Sequence, residues 1–316
     1  MTLTRRELVI SAISHEDTGR LPYSFDYTGE TEAKLKAHYG CEDVAEAVGN
    51  CIRGVPAPWW EFVNVPEDQL LPAVPSRLPD VRGVGSFEKM KEESARLRET
   101  TDAFLLIGFY ASLFEKAWFL RGMENLLADM MLNEEYCTAL CDLIVESDLK
   151  MLDMVLAADV DGVLLGCDWG SQQALMMGPA MWRKYLGPRH ARMFKRIREA
   201  GKFAFLHSCG NIRVVLPEVV AMGVQVLNPF QPECIDIGAV KDELGDQLCF
   251  WGGVSTQQTL PYGTPDEVRA ETRQVAARLG KGGGYILSPA QALQDDVPLE
   301  NILALIEVAQ ELFEGR

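Results

Sequence analysis

His207 and Cys209 form the pair of residues best suited to chemistry in this sequence. They end a short apolar segment, Phe203-Ala-Phe-Leu-His207, that reads as a β-strand. Side chains two residues apart on a strand point to the same side, so the imidazole and the thiol would face one cavity. A nitrogen and a sulfur ligand together favour Zn²⁺. The alternative is a histidine bonded to a neighbouring carbonyl beside an inert cysteine.

Cys167 and Asp168 follow the preceding predicted strand, so their side chains could reach the same cavity. A catalytic zinc site holds about three protein ligands and keeps one open position. We expect Cys167 to be the third metal ligand and Asp168 to be a catalytic carboxylate. The alternatives are a packed cysteine of the core and an aspartate that caps a loop.

Other polar and aromatic residues also follow predicted strands. Asp26 is a candidate general base or substrate acceptor, with a plain turn carboxylate as the alternative. Five residues are candidate substrate contacts, although aromatic side chains there can equally be the top layer of the core: Tyr110, Trp169, Asn228, Trp251 and Gln291.

Seven short, continuously apolar segments are typical of buried parallel strands. They cover residues 21–25, 104–109, 161–165, 203–207, 224–227, 248–251 and 285–287. Helical patterns lie between them: two helices over 123–156, one over 179–199, one opened by Thr264 and Pro265, and one over 298–313. Strands that alternate with helices predict an α/β fold. We expect one (β/α)8 TIM-barrel domain over residues 1–316, with one strand missed and the active face at the strand carboxyl ends. A doubly wound sheet is second, because no glycine-rich phosphate turn is present.

Residues 56–85 are the least regular part of the chain and are rich in Pro and Trp, including Trp59 and Trp60. We expect an irregular insertion near the barrel mouth. Long excursions of this kind are either functional lids or covers for the core.

The composition excludes several classes of protein. The 316 residues include 47% hydrophobic and 24% charged residues, and 30 Lys and Arg against 46 Asp and Glu give a net charge of −16. Such an acidic surface repels nucleic acid and anionic membranes, so we expect neither as a partner. No signal peptide and no membrane-spanning segment is expected. The eight Cys form no CxxC pair and read as reduced thiols, which predicts a cytoplasmic protein.

With these residues in hand, the chain resembles the uroporphyrinogen decarboxylase superfamily nearly from end to end. The stretches that carry the resemblance are Leu113-Phe-Glu-Lys-Ala-Trp-Phe-Leu-Arg-Gly-Met-Glu124, Asp168-Trp-Gly, His207-Ser-Cys-Gly-Asn211, Trp251-Gly-Gly253 and Pro298-Leu-Glu-Asn301. The resemblance implies a (β/α)8 barrel with its active cleft at the strand carboxyl ends.

The superfamily has two well-known branches. One decarboxylates uroporphyrinogen without a cofactor and carries an Arg-rich loop after its first strand; this chain has the acidic segment Asp26-Tyr-Thr-Gly-Glu-Thr31 there. The other transfers methyl groups to or from a corrinoid carried on a separate protein. Its thiol-methylating members hold Zn²⁺ with a His-x-Cys pair, which His207 and Cys209 resemble, and a later Cys. That later Cys would fall near Gln291 and is absent here, so either Cys167 or Asp168 completes the site, or the metal is held loosely, or no metal is bound.

We therefore predict a zinc-assisted methyltransferase that moves a methyl group between a small methylated or methoxylated compound and a corrinoid on a partner protein. A decarboxylase of uroporphyrinogen or a related carboxylate is the alternative. A third hypothesis is a non-catalytic barrel that binds a corrinoid or porphyrin. The sequence leaves open whether the chain forms a homodimer.

Overall fold

A computed structural model describes residues 3–58, 70–78, 86–110 and 112–315 of the chain. The chain divides into two compact units. Unit 1 consists of Met1–Arg53, Asp102–Phe104 and Gln225–Arg316. Unit 2 consists of Gly54–Thr101 and Leu105–Val224. Both units contain helices and parallel strands, so the predicted α/β class is confirmed.

Helices make up about half of the described residues. Their bounds are α1 Arg5–Ile13, α2 Gly29–Tyr39, α3 Val44–Val48, α4 Phe87–Thr100, α5 Phe114–Arg121, α6 Met123–Leu132, α7 Glu134–Leu156, α8 Gly178–Met181, α9 Gly187–Glu199, α10 Leu216–Ala221, α11 Ile237–Leu244, α12 Thr259–Tyr262, α13 Pro265–Leu279 and α14 Leu299–Glu314. A π-helical turn covers Trp182–Leu186 and a 3₁₀ turn covers Arg213–Val215.

The strands are β1 Ile52–Gly54, β2 Phe104–Phe109, β3 Gly162–Gly166, β4 Phe203–His207, β5 Val226–Phe230, β6 Cys249–Val254 and β7 Tyr285–Pro289. In unit 2, β3 pairs in parallel with β2 and with β4, and Gly166 lies opposite His207. In unit 1, β6 pairs in parallel with β5 and with β7. Strands β3, β5, β6 and β7 are buried along their whole length, as their continuous apolar runs predict.

Six of the seven predicted strands are strands in the structure, and β2 and β4 have the predicted bounds. The prediction for residues 21–25 is wrong, because this segment makes only an isolated bridge, Tyr23 to Leu287. Pro22 has no N–H to donate to a ladder, which limits its pairing. Strand β1 was not predicted, since three residues, Ile-Arg-Gly, carry no apolar run. Closure into an eight-stranded barrel of one domain stays a prediction.

The structure confirms the predicted helices, with one exception. The segment 123–156 is two helices, α6 and α7, and Thr264 caps α13 by accepting the N–H of Glu267. The segment 179–199 is not one α-helix, because the π turn separates α8 from α9. Pro188 explains the wider turn: its ring clashes with the carbonyl four residues before it and it lacks an N–H.

The predicted insertion, residues 56–85, is only partly described. Residues 56–58 and 70–78 carry no helix or strand, which agrees with an irregular segment. Trp59 and Trp60 lie outside the described residues, so the prediction of a lid stays open. None of the described helices combines the length and the apolar character needed to cross a membrane.

Candidate metal centre

His207 and Cys209 lie together at the carboxyl end of β4, in unit 2. The Cys209 sulfur is 3.6 Å from Nε2 of His207. The imidazole is largely buried, with 12% of the side chain exposed, and Cys209 is half-buried. The spacing of two residues therefore brings the two donor atoms into one place, as the sequence predicts.

Asp168 joins this pair from the loop that follows β3. Its Oδ1 is 3.7 Å from Nε2 of His207 and accepts the backbone N–H of Cys209 at 2.8 Å. One donor atom from each of the three residues lies within 4.8 Å of the other two. The carboxylate is about one-third exposed, so the group is open to small molecules.

Hydrogen bonds join the loop after β3 to the loop after β4. The N–H of Cys167 donates to the carbonyl of His207 at 3.0 Å. The N–H of Trp169 donates to the hydroxyl of Ser208 at 3.1 Å. Asp168 lies between these two contacts in sequence, which fixes the backbone that carries its carboxylate.

Two glycines let the backbones of these loops touch. Gly210 has a φ of +82°, which disfavours any residue with a Cβ. A Cβ at Gly210 would lie 2.4 Å from the carbonyl carbon of Gly170, and a Cβ at Gly170 would lie 2.8 Å from the N of Asn211. The three donor residues therefore depend on two positions that hold no side chain.

Cys167, the predicted third ligand, is placed differently. Its side chain is fully buried and its thiol donates to the carbonyl of Ser112 at 2.8 Å. Burial, with the nearby Glu115 carboxylate, raises the pKa of this thiol well above its ordinary value. The structure brings Asp168, and not Cys167, into the group with His207 and Cys209.

Tyr110 lies against His207, whereas Trp169 is packed in the protein interior. The Tyr110 ring meets the His207 ring edge to face, with centroids 5.2 Å apart, and a Cβ at Gly166 would lie 2.2 Å from it. Trp169 is fully buried against His190 and Trp182, with ring centroids 4.9 and 5.2 Å away. Direct substrate contact by Trp169 stays a prediction.

The remaining predicted residues lie in unit 1. Asp26 is exposed. Asn228 is buried and its side-chain amide donates to the carbonyl of Trp251 at 3.3 Å, while the Trp251 indole N–H donates to the carbonyl of Ser24 at 3.1 Å. Gln291 lines a cavity of 420 Å³. Their roles in catalysis and substrate binding stay predictions.

The donor set of the three grouped residues fits zinc. With Zn–S of about 2.3 Å and Zn–N or Zn–O of about 2.0–2.1 Å, a tetrahedral site separates sulfur from nitrogen by about 3.6 Å and nitrogen from oxygen by about 3.3 Å. The separations of 3.6 Å for Cys209 and His207 and 3.7 Å for His207 and Asp168 are close to these values. Three ligands leave one position open, as in catalytic zinc sites.

Residues 71–312 match the family described as Uroporphyrinogen decarboxylase (URO-D). This chain belongs to the URO-D family. The match spans most of the chain and includes every residue of the metal candidate group.

Relatives of this URO-D family member carry two different names. The chain is 24% identical over 172 residues to a methylcobamide:CoM methyltransferase, MtaA, of Methanosarcina barkeri, covering 54% of this chain and 48% of that protein. It is 24% identical over 223 residues to a uroporphyrinogen decarboxylase of Carboxydothermus hydrogenoformans, covering 68% and 61%. The chain thus spans less than two thirds of the length of either relative. Family membership alone does not choose between the two reactions.

A solved structure shares the fold. A methyltransferase from Methanosarcina mazei superposes with a TM-score of 0.74 at 19% identity, covering 98% of this chain and 99% of that chain. At this identity the likeness shows a common fold.

The sequence did not predict the residues that hold the loops after β2, β3 and β4 in place. Ser208 stands between the two ligand candidates, and its hydroxyl holds the neighbouring loop, although nothing in its residue type marks it out. Lys116 and Asp148 form a fully buried ion pair, and Asp148 also accepts the N–H of Leu113 at 3.4 Å. In the sequence, the buried pair was indicated by Lys116, a charged residue among the apolar side chains of Phe114–Arg121.

Proposed function

We propose that this chain is a zinc-assisted methyltransferase. It moves a methyl group between a small methylated or methoxylated compound and a corrinoid carried on a partner protein. The observation that carries the proposal is the three-residue group Asp168, His207 and Cys209, whose oxygen, nitrogen and sulfur donors converge at the carboxyl ends of β3 and β4. The name of the Methanosarcina barkeri relative, a methylcobamide:CoM methyltransferase, supports a methylated corrinoid as one reactant.

His207 Nε2, Cys209 Sγ and a carboxylate oxygen of Asp168 would hold the metal. Bound zinc would supply Lewis acidity to the oxygen or nitrogen from which the methyl group departs. The protein's own contribution is to fix the donors beforehand. The Cys209 N–H orients the Asp168 carboxylate, and the Tyr110 ring covers one side of the imidazole. Fixed ligands avoid reorganisation when charge develops in the transition state.

The choice of Asp168 over Cys167 as third ligand follows from contacts. The Cys167 thiol is engaged with the carbonyl of Ser112 inside the protein. The Asp168 carboxylate already lies 3.7 Å from the imidazole. As a ligand, Asp168 no longer serves as the proton donor, and Asp26 is then the remaining candidate for acid–base chemistry.

The metal content of the purified protein tests this proposal. We expect about one zinc per chain in the wild type and in Cys167→Ser. Cys209→Ala and Asp168→Ala should bind zinc at least about tenfold more weakly, because each loses a ligand. Equal zinc content in Cys209→Ala and wild type, or none in any protein after incubation with zinc, would overturn the metal centre.

Methyl transfer is measured separately. With zinc present, the wild type should methylate cob(I)alamin from a suitable methyl ether or amine, and Cys209→Ala should lose that activity. Asp26→Asn tests the acid–base role: a fall in kcat without loss of zinc supports it, and an unchanged kcat removes it.

Decarboxylation is the second candidate, favoured by the similarity to the Carboxydothermus hydrogenoformans decarboxylase. It predicts release of CO₂ from uroporphyrinogen that is independent of metal and insensitive to Cys209→Ala. Absence of CO₂ release under conditions that support a control decarboxylase would remove it.

A further inference from the structure

Unit 1 contains a cavity of 420 Å³ at the carboxyl ends of β5, β6 and β7. Gln231 directly follows β5, Thr256 and Gln257 lie just beyond β6, and Gln291 lies two residues beyond β7. Small-molecule sites commonly have volumes of about 300–1,000 Å³ and gather at such strand ends. The cavity has the size and place of a ligand site.

Uncharged hydrogen-bonding groups dominate its walls. Four of the side chains that line it are carboxamides, those of Gln231, Gln257, Gln291 and Gln294, and Thr256 adds a hydroxyl. A carboxamide both donates and accepts hydrogen bonds. Each hydroxyl group of a ligand also donates one bond and accepts others. The walls therefore match a ligand that presents several hydroxyl groups.

The charges around the cavity argue against an ionic ligand. Asp296 is the one charged residue among the described residues that line it, and neither Lys nor Arg is among them. A carboxylate-rich ligand would find no counter-charge there, in a chain of net charge −16. A cation would find one carboxylate, and Asp296 is exposed, so water and salt weaken that attraction.

The walls are held in place before any ligand arrives. The Ser255 hydroxyl donates to the Glu233 carboxylate, which also accepts the backbone N–H of Gln257 at 3.4 Å. The Gln291 side-chain oxygen accepts the N–H of Ala292 at 3.0 Å. Gln231 is only 8% exposed. A carboxamide buried to that extent differs from a freely moving surface glutamine.

We propose that this cavity binds an uncharged small molecule with several hydroxyl groups, such as a polyol or a single sugar unit. Tyr262, 82% exposed at its rim, offers an aromatic face to the C–H groups of such a ligand. The proposal concerns binding in unit 1 and holds whichever reaction the chain catalyses.

Calorimetric titration of the full chain tests it with five probes: glycerol, myo-inositol, methyl glucoside, citrate and choline. We expect at least one of the three neutral probes to bind, and to bind more tightly than citrate or choline. Gln257→Leu and Gln294→Leu should each weaken that binding about tenfold, because each removes hydrogen bonds to the ligand. Both residues are exposed, so both variants should fold, and an unchanged melting temperature checks this.

Gln258→Leu is the matched control, since Gln258 is the adjacent glutamine, is exposed, and is not among the described residues that line this cavity. Its affinity should stay within about twofold of wild type. The proposal is overturned if none of the neutral probes binds, if citrate or choline binds more tightly than all three, or if Gln258→Leu weakens binding as much as Gln257→Leu.

Discussion

The strand ends of unit 2 and the strand ends of unit 1 position polar groups in different ways. At the ends of β3 and β4, backbone contacts place the side chains: Gly170 and Gly210 touch, and the Cys209 N–H holds Asp168. At the ends of β5, β6 and β7, side chains such as Glu233 and Ser255 hold the walls of a cavity lined with long glutamines.

This difference has a consequence for mutation. Where two backbones touch, an added Cβ has no room. A substitution there should therefore disturb the geometry of the site and lower the stability of its loops at the same time. In the unit 1 cavity, exposed side chains such as Gln257 and Gln294 can be changed to alter ligand binding without loss of stability.

Gly210→Ala should have the largest effect. The added Cβ would lie 2.4 Å from Gly170 and would sit at a φ of +82°. Strain and overpacking together should lower the free energy of unfolding by about 3–5 kcal/mol, and zinc binding should fall with it.

The control is Gly201→Ala, which has a φ of +72° but no atom within 4 Å of the new Cβ. It should cost about 1 kcal/mol and leave zinc bound. Urea unfolding and zinc content measure both; equal losses in the two variants would contradict the backbone-contact argument.

Asp148→Asn should be next. Lys116 and Asp148 are fully buried and bonded to each other, and Asp148 also supports Leu113, whose φ is +40°. Removing the negative charge leaves the buried Lys116 ammonium without the carboxylate that balances it, which should cost roughly 3 kcal/mol.

The exposed pair Asp153 and Arg196 provides the control on the same helix, α7. Asp153→Asn should change the free energy of unfolding by less than about 1 kcal/mol. A loss in Asp148→Asn no larger than in Asp153→Asn would show that the buried pair adds no support to the loop after β2.

Sequence reasoning reached the metal candidates because strand periodicity is local. His207 and Cys209 are two residues apart, and β4 has the predicted bounds, so their proximity follows from one strand. The choice between Cys167 and Asp168 depends on which way each side chain turns in a loop. That direction is set by Ser112 and Cys209, and no local pattern encodes it.

The unit 1 cavity was less predictable for the same reason. Gln291 could be placed after the last strand, and Gln294 lies in the same loop, but Gln231 and Gln257 meet them only because the loops after β5 and β6 fold towards that loop. The π turn at Trp182–Leu186 was missed although Pro188 signalled it, since apolar spacing there fits a helix on both sides.

The stability of the metal-free protein should fall in mild acid because of His190. Its ring is fully buried, Nδ1 lies 3.1 Å from the carbonyl oxygen of Leu186, and burial lowers its pKa from about 6.5 to about 4. Between these values the unfolded chain takes up a proton that the folded chain does not, so stability is lost as pH falls from about 6.5 towards 4. The shift corresponds to a loss of order 3 kcal/mol.

Urea unfolding at pH 7, 6 and 5 measures this loss. His190→Gln should flatten the pH dependence, because it removes the buried ring that the folded chain keeps unprotonated. An unchanged slope in His190→Gln would assign the acid sensitivity to other groups.

Tyr262→Ala should have the smallest effect on stability and a clear one on binding. The side chain is 82% exposed, so the free energy of unfolding should change by less than about 0.5 kcal/mol. Its ring lies at the rim of the unit 1 cavity, and its loss should weaken binding of the neutral probe several-fold.

Tyr262→Phe keeps the ring and should keep the affinity if the ring face makes the contact. Unaltered affinity in Tyr262→Ala would remove the ring from the site. A large loss of stability would instead mean that the strand ends of unit 1 couple binding to folding, as those of unit 2 do, and the contrast between the two would fail.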